Sequence, residues 1–568
     1  MRVMSKSKNL TTRAKPKTKS KPATPPAFTK PALPQPTAVP PSRAHASAYH
    51  YPLLIEDGVV GKELLRWFEG IEEVRNMPWR KKWLDPAECE GGEEFGSLLE
   101  RRAYEVWVSE VMLQQTRVST VIPYFNTWIS KWPTVDALAE ASHDDVLSVW
   151  KGLGYYSRAT RLHDGAKVVV SAKDGPCKIP SGVDALQKIP GIGRYTAGAV
   201  SSIAFGEAEP VLDGNVARVL SRQLGLYVDA KDKKSTDVLW EVADVLVKSV
   251  AGYPDEGRSS IPGQWNQALM ELGSTICTPR PKCDECPIRR TCRVYAEGET
   301  LSLKKAAVTT VVPDIEDACT LCLQLDTEDL ATAPEDAGDD EDDAPPKPVK
   351  RRKVETKPAN TISNYFSSRM TPKPKPEPAT PASSDASLQP TTDPSTKRKI
   401  PTPTPAQTKA IATYCSLFPK KMPKKAVPEE DAVVCVISAP ATRSLDKRRW
   451  LIEQRPAKGL LASLWQFPQQ TLPPAIKHTA ASRKATARAY VESLGLGSLD
   501  GRDARELGSL VHVFTHLKLT MYVVHIGLET DGEILEGAPA RKWVATEDMG
   551  GETLSTGMRR CWELVAAT

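Results

Sequence analysis

Between Tyr51 and about Leu301, apolar residues return every three or four positions. Val106, Trp107, Val111 and Leu113 make one such face, and Val146, Leu147, Val149 and Trp150 make another. A period near that of the α-helix predicts amphipathic helices. Ser142 followed by Asp145 predicts a capped start for the second run, and Gly152 and Gly154 predict its end. Few β-branched alternating runs interrupt this block, so residues 51–301 read as an all-α domain. From about Asp431 the texture changes. AVVCVISA and LTMYVVHIGL alternate or run β-branched, and LDKRRWLIEQ can be read the same way, which predicts strands. ATARAYVESLG predicts a helix, so residues 431–568 read as an α+β domain.

Composition sets the boundaries of these blocks. Of the 48 prolines in 568 residues, 9 fall in residues 1–50 and 19 in residues 302–430. Residues 1–50 also carry ten Lys or Arg and no Asp or Glu. Such a segment cannot bury enough apolar surface to order itself, so 1–50 is predicted to be a disordered basic tail. It suits solvent, an organelle address (nuclear or mitochondrial) or an arm on DNA. Residues 302–430, with the acidic run Asp339–Asp343 and Pro/Thr/Ser repeats, are predicted to be a disordered interdomain linker. The chain is thus multidomain. No apolar run approaches the ~20 residues of a membrane span, so no membrane partner is expected. A secretory signal is not expected either. An odd cysteine count with one tight cluster suits a reducing compartment, and a monomer is expected.

Three stretches carry candidate chemistry. In IPGIGRYTAGAV, Ile189–Val200, a helix-like VDALQK leads into Gly191 and Gly193, and a second helical stretch follows. Two glycines there allow a tight turn with φ > 0, and N–H groups at a helix N-terminus form an anion site. In VLDGNVARVL, Asp213 precedes Gly and Asn, a natural helix N-cap. In ICTPRPKCDECPIRRTC, Cys277, Cys283, Cys286 and Cys292 follow the spacing C-x5-C-x2-C-x5-C. Sulfur in that density predicts a metal site, iron–sulfur or zinc.

Helix-hairpin-helix, Gly/Pro-rich loop and Asp together resemble the helix-hairpin-helix DNA glycosylase superfamily. Ala103–Phe125 (AYEVWVSEVMLQQTRVSTVIPYF), Val149–His163 (VWKGLGYYSRATRLH), MPWR at Met77–Arg80 and NQALMELG at Asn266–Gly273 sharpen this to the adenine DNA glycosylases of the MutY type, eukaryotic branch. The resemblance implies a hydrolase of base excision repair that excises adenine mispaired with 8-oxoguanine, or with guanine, in duplex DNA. Breaking an N-glycosidic bond needs a proton on the purine and an anion beside the cationic sugar. Glu110, among apolar neighbours, suits the acid, and Asp213, at a helix N-terminus, suits the ionised stabiliser. The resemblance implies this division, with Asn215 supporting Asp213; direct water attack and a covalent sugar on Asp213 both remain open. Endonuclease III-like relatives carry a Schiff-base Lys in this hairpin, where Arg194-Tyr195-Thr196 stands here. Tyr195 cannot form an imine, so a monofunctional enzyme leaving an abasic site is expected.

The resemblance further implies a base pocket of Trp79, Arg80, Leu113, Val118 and Gln267, with Gln115 and Tyr155 wedged into the vacated stack. Gly191 and Gly193 would meet the DNA backbone. The family carries a [4Fe–4S] cluster on C-x6-C-x2-C-x5-C, one residue longer in its first gap than this chain. Such a cluster would be structural, setting Arg280–Lys282 on phosphates. Cys319 and Cys322 resemble part of a zinc site in animal members, with His50 as a further ligand; two reduced thiols are the alternative. The C-terminal block resembles the family's Nudix-like domain. Its helix SRKATARAYVESLGLG lacks the Glu cluster that binds Mg2+, so lesion recognition by Phe514, Thr515 and His516 is expected rather than nucleotide hydrolysis. In the linker, Lys350–Lys353 resembles a nuclear import signal, and Ile362, Tyr365 and Phe366 resemble a sliding-clamp motif without its usual Gln. Nucleus, with mitochondrion as a second site, is the expected location. The rivals are an endonuclease III-like glycosylase/lyase and a non-catalytic lesion reader.

Overall fold

The computed structural model describes residues 43–302, 318–325 and 403–567, apart from 44, 57, 87–91, 173–176, 423–425, 442–443, 457–458, 460, 475–477, 497–502, 515–516 and 530–539. The Lys350–Lys353 cluster, Ile362, Tyr365, Phe366, Thr515 and His516 lie outside the described residues. In chain order the first helices are α1 (Leu53–Glu56), α2 (Gly58–Arg75), α3 (Gly92–Leu113), α4 (Val118–Lys131), α5 (Val135–Glu140), α6 (His143–Trp150), α7 (Ser157–Ala172) and α8 (Val183–Leu186). Then come α9 (Arg194–Phe205), α10 (Gly214–Leu224), α11 (Lys233–Val250), α12 (Ile261–Thr275), α13 (Arg293–Ser302), α14 (Pro405–Cys415), α15 (Ala480–Ser493) and α16 (Thr556–Ala566). Every regular element described between 51 and 301 is helical. The capped start read at Ser142 is present: its Oγ accepts the Asp145 N–H (3.1 Å) at the head of α6.

The described residues sort into two compact units. The larger comprises Gly58–Val219, Thr236–Thr278 and Lys421–Thr568. In its helical part, α9 lies against α3 and α12, and glycines permit close approach of α9 to the backbone at Pro210 and to α12. A Cβ on Gly198 would stand 2.1 Å from the Pro210 carbonyl oxygen, and one on Gly263 would stand 2.9 Å from the Ile203 Cα. The hairpin is α8, the turn at Pro190–Gly193, and α9.

The C-terminal part is a mixed sheet in the order β3-β2-β1-β6-β5, with β4 on β1 and β7 on β2. The strands are β1 (Glu429–Ala441), β2 (Ser444–Gln454), β3 (Trp465–Gln466), β4 (Gln469–Thr471), β5 (Arg505–Val513), β6 (Lys518–Gly527) and β7 (Arg541–Ala545). Among the described strands, β1 and β6 pair in parallel and the other pairs are antiparallel. Both faces are covered, which is why β1 is apolar on both sides rather than alternating with polar residues. Val433, Cys435 and Ile437 pack with Ala487 and Val491 of α15. Val434 and Val436 pack with Met558 and Cys561 of α16.

The smaller unit gathers the described residues among Met1–Asp57, Leu220–Ser235 and Pro279–Lys420. Here the predicted boundaries move. Residues 45–50, assigned to the tail, form a bridge from Ala46 to Ala318 and a 3-10 turn, Ser47–His50, in which Tyr49 and His50 are buried. Residues 405–415, assigned to the linker, form α14. The cause is one buried carboxylate, Glu297 of α13. It accepts hydrogen bonds from Arg43 Nη2 (3.1 Å), Tyr49 Oη (2.7 Å) and Tyr414 Oη (2.6 Å). A buried charge needs such partners, and here they come from segments whose composition alone does not predict order.

Gly198→Ala is expected to cost about 1–3 kcal/mol, because the new methyl meets backbone that cannot yield. A thermal melt that is unchanged from the parent chain would show that α9 has more room than its spacing to Pro210 implies.

Candidate active site

The site is built on α3, α9 and the start of α10. Glu110 faces inward from α3 and is 7% exposed. Tyr195, one residue into α9, donates its hydroxyl to Glu110 Oε2 at 2.7 Å, and the same oxygen lies 2.9 Å from Met270 Sδ. Burial pushes the Glu110 pKa up to about 7; the Tyr195 bond and Arg80 pull it back, and Asp213 adds to the rise. A carboxylate stripped of water is the costly form, so the proton stays. Tyr195 itself is raised well above the usual phenol value by burial and by the two acids, and remains a donor.

Asp213 is the N-cap of α10. Its Oδ1 accepts the Val216 N–H at 2.7 Å, and its Oδ2 accepts the Asn215 side-chain N–H at 2.9 Å. The expectation that the helix N-terminus favours the ionised form of Asp213 gives only half the balance. Burial raises its pKa, while the Val216 N–H, Asn215 and the Arg218 charge oppose that rise. Arg218 was not singled out from the sequence. It donates to Asn215 Oδ1, Gly273 O and Cys277 O, each at 2.8 Å, and so fixes the amide that steadies Asp213. Its place three residues after Asn215 on one helix was the available signal. Gly273, from NQALMELG, leaves room for this: a Cβ there would be 2.7 Å from the Asn215 Cβ.

The remaining pocket candidates are held in different ways. Trp79 is buried and meets Phe125 edge-on at 5.3 Å. Arg80 donates Nη2 to Glu271 Oε2 at 2.6 Å, and Arg75 binds the other oxygen of that buried acid. Gln267 donates to Gly263 O within its own helix (3.1 Å), and Leu113 and Val118 stand half-buried at the end of α3 and the start of α4.

Gln115 and Tyr155 are exposed and share a second property: both sit at positive φ, +57° and +46°. Non-glycine residues pay for that conformation, and surrounding contacts must enforce it. The enforcer is Arg158, 6% exposed. Its Nη1 donates to Val111 O (2.9 Å), Met112 O (2.8 Å) and Gln114 O (2.8 Å), capping α3. Its Nη2 reaches Thr116 Oγ1 (3.2 Å), Leu153 O (3.3 Å) and Gly154 O (3.1 Å). One guanidinium therefore joins the loop of Gln115 to the loop of Tyr155.

In the hairpin turn, Gly191 has φ +84° and a Cβ there would stand 2.9 Å from the Arg161 Cβ. Gly193 departs from the expectation of a second positive φ. It is extended (φ −89°, ψ 179°) and acts as the N-cap of α9, with open space where a Cβ would be. The N-terminus of α9 thus stays unobstructed, as an anion site requires.

The smaller unit holds two sulfur sites. In the first, the ligand nitrogens and sulfurs of His45, His50, Cys319 and Cys322 all lie within 4.8 Å of one another. His45 belongs to the segment assigned to the tail and was missed for that reason. His50 Nδ1 bonds Leu224 O (2.8 Å) and His45 Nδ1 bonds Arg43 O, so each ring donates from Nδ1. The two Nε2 lone pairs then face each other at 3.0 Å, with Cys319 and Cys322 Sγ at 3.3 and 3.4 Å from His50. Two lone pairs so close repel unless a cation lies between them, and the N2S2 donor set fits zinc. In the second, Cys283 and Cys292 pack with α13 and α14, and the Cys283 thiol is drawn down in pKa by a hydrogen bond from Cys415 and by the Arg222 charge. Soft thiolates beside a buried cation fit an iron–sulfur cluster. Cys277 lies in the larger unit, its N–H bonded to Leu272 O (2.7 Å) at the end of α12.

In the C-terminal domain, the Phe514 N–H donates to Leu517 O (2.7 Å), closing the turn between β5 and β6. Phe514 and His512 border a cavity of about 130 Å³ with Arg455, Gln466 and Gln469. The helix α15 carries a single carboxylate, Glu492.

The family model of HhH-GPD superfamily base excision DNA repair proteins matches residues 108–244, and that of the NUDIX domain matches residues 442–564. The adenine DNA glycosylase of Homo sapiens is 33% identical over 533 residues, 92% of this chain and 77% of that protein. The adenine DNA glycosylase of Schizosaccharomyces pombe is 30% identical over 473 residues, 82% and 80% of the two chains. Among solved structures, a thermostable thymine-DNA glycosylase superposes with a TM-score of 0.33 at 24% identity, over 41% of this chain and 94% of that one.

Removing the Arg158 bridge is expected to be severe. Arg158→Ala should cost about 3 kcal/mol, because buried carbonyls lose their donor. Arg158→Lys should recover little, since one ammonium cannot span both loops. Melting curves and the dissociation constant for an abasic-site duplex would test this; a lysine variant that matches the parent in both would refute the bridging role.

Proposed function

This chain belongs to the adenine DNA glycosylase family of base excision repair, and within that family we propose that it excises adenine paired with 8-oxoguanine or guanine and leaves an abasic site without cutting the strand. The observation that carries this reading is a pair of carboxyls in unlike settings. Glu110 has a pKa raised to about 7 by burial, and Asp213 receives donors from Val216 and Asn215. Two acids pushed apart in this way divide acid from stabiliser.

The chemistry follows from the hydrogen bonds. Tyr195 donates to Glu110 Oε2, which leaves Oε1 to carry the acidic proton. An adenine turned out of the duplex takes that proton on N7. The C–N bond breaks, its electron pair leaves with the purine, and the sugar becomes cationic against Asp213. Water adds to the sugar carbon, directly or after a transient ester on Asp213, and loses its proton. Asn215, fixed by Arg218, keeps the Asp213 carboxylate aimed. Tyr195 supports the monofunctional assignment, because a phenol forms no imine with the sugar. The opposing 8-oxoguanine falls to the C-terminal domain, whose α15 lacks the acids that nucleotide hydrolysis needs. Gln115 and Tyr155 fill the vacated stack.

The cysteine-rich loop read from the sequence holds an iron–sulfur cluster, and His45, His50, Cys319 and Cys322 hold a zinc ion. Both are structural groups that tie chain segments together. Ile362, Tyr365 and Phe366 dock a sliding clamp, and Lys350–Lys353 serves nuclear import.

Single-turnover assays on an adenine:8-oxoguanine duplex should show base release whose strand break needs a separate alkaline step. Asp213→Asn should abolish release, and borohydride should trap no enzyme–DNA adduct; a trapped adduct would sink the monofunctional reading. Glu110 acts protonated, so the rate should fall as pH rises through about 7. Asp213 acts ionised from a raised pKa, so an acid limb should lie above the ordinary carboxylate range. A profile flat through neutrality would remove Glu110 from its role. Metal analysis should find zinc in the chain, lost in Cys319→Ser and reduced in His45→Ala; full zinc in both variants would exclude this site.

A further inference from the structure

The segment from Lys151 to Tyr155 is fixed on the helical side by its main chain. Lys151 is the C-cap of α6, and its carbonyl accepts the Tyr124 hydroxyl of α4 at 2.9 Å. The Gly152 N–H donates to the Tyr156 hydroxyl (3.2 Å), and the Trp150 ring N–H donates to Gly154 O (2.9 Å). Gly152 has φ +99°, and a Cβ there would stand 2.5 Å from the Tyr124 Oη. Packing this close ties the position of Lys151 to that of Tyr155.

The Lys151 side chain leaves this network. Its Nζ donates to the Gly550 carbonyl, in the turn between β7 and α16 of the C-terminal domain. That turn is itself firmly held. Met549 is buried in the core of the sheet, the Gly551 N–H donates to Asp548 O (2.8 Å), and Glu552 pairs with Lys542 of β7 (2.9 Å). Burial and the Arg559 charge from α16 lower the Lys151 ammonium pKa, while Glu552 opposes them. Lys151 thus joins the helical part of the larger unit to its sheet. A single exposed ammonium contact adds little to stability. Its consequence lies in what it connects: the loop of the wedge residue and the domain that faces the base opposite adenine. A contact made in one arrangement of two parts biases their equilibrium toward that arrangement.

We propose that Lys151 is a positioning residue that transmits the seating of the C-terminal domain on the opposing base to the Tyr155 loop, and so sets how far excision depends on 8-oxoguanine rather than guanine. This rests on the functional reading above, with Tyr155 in the vacated stack and the C-terminal domain on the lesion.

Single-turnover rates and dissociation constants on adenine:8-oxoguanine and adenine:guanine duplexes should be measured on the full-length protein as parent, Lys151→Met and Lys151→Arg. Lys151→Met keeps the stem and removes the donor. It should lose about threefold to tenfold of the preference for 8-oxoguanine, with the adenine:guanine rate and the melting temperature unchanged. Lys151→Arg still donates and should keep most of the preference. Amide hydrogen exchange across residues 547–556, in the other domain, should rise in Lys151→Met. An unchanged preference, or unchanged exchange in that turn, overturns the proposal. So does equal weakening on both duplexes with a shallower salt dependence, which would make Lys151 a phosphate contact. A parent chain that releases no adenine, or releases it equally from both duplexes, would instead overturn the functional reading itself.

Discussion

A carboxyl group removed from water, and held there by one phenol, is the constraint on which the site depends. Glu110 keeps its proton near neutrality because its charged form has almost no solvent, and Tyr195 spends its hydroxyl on one oxygen only. That arrangement requires α3 and α9 to pack at close range. Gly198 and Gly263 are where α9 and its neighbours come too near for any side chain.

The second acid shows the complementary solution. Asp213 is also taken partly out of water, but it is given donors: a helix N–H, an amide and, one step further out, Arg218. Hydrogen bonds to the ionised form offset the cost of burial, whereas Glu110 has no comparable set. The same device recurs on a larger scale in Arg158, whose single guanidinium satisfies the end of α3 and the loop before α7 together. Two residues at positive φ, Gln115 and Tyr155, are held in place by a residue that is itself buried.

The smaller unit follows a related logic with fewer apolar residues. Glu297 gathers Arg43, Tyr49 and Tyr414, and the sulfur sites lie around the same junction. A segment poor in hydrophobic side chains becomes ordered here because ion pairing and hydrogen bonds to Glu297 supply what burial cannot. This is why His45, in a stretch read as tail, lies beside His50, Cys319 and Cys322.

The sequence by itself determined what is local. The helical period of residues 51–301, the Ser142 and Asp213 caps, the Gly191 turn and the tyrosine in place of a lysine at 195 all follow from neighbours within a few positions. The alternating apolar runs after Asp431 likewise foretold the sheet. Tertiary structure decided everything that depends on partners far along the chain. Tyr195 meets Glu110 across 85 residues and Arg43 meets Glu297 across 254, and no local pattern records either pairing. Whether an acid keeps its proton, whether a proline-rich stretch orders, and which cysteine meets which are questions of burial and proximity. Those are properties of the packed chain.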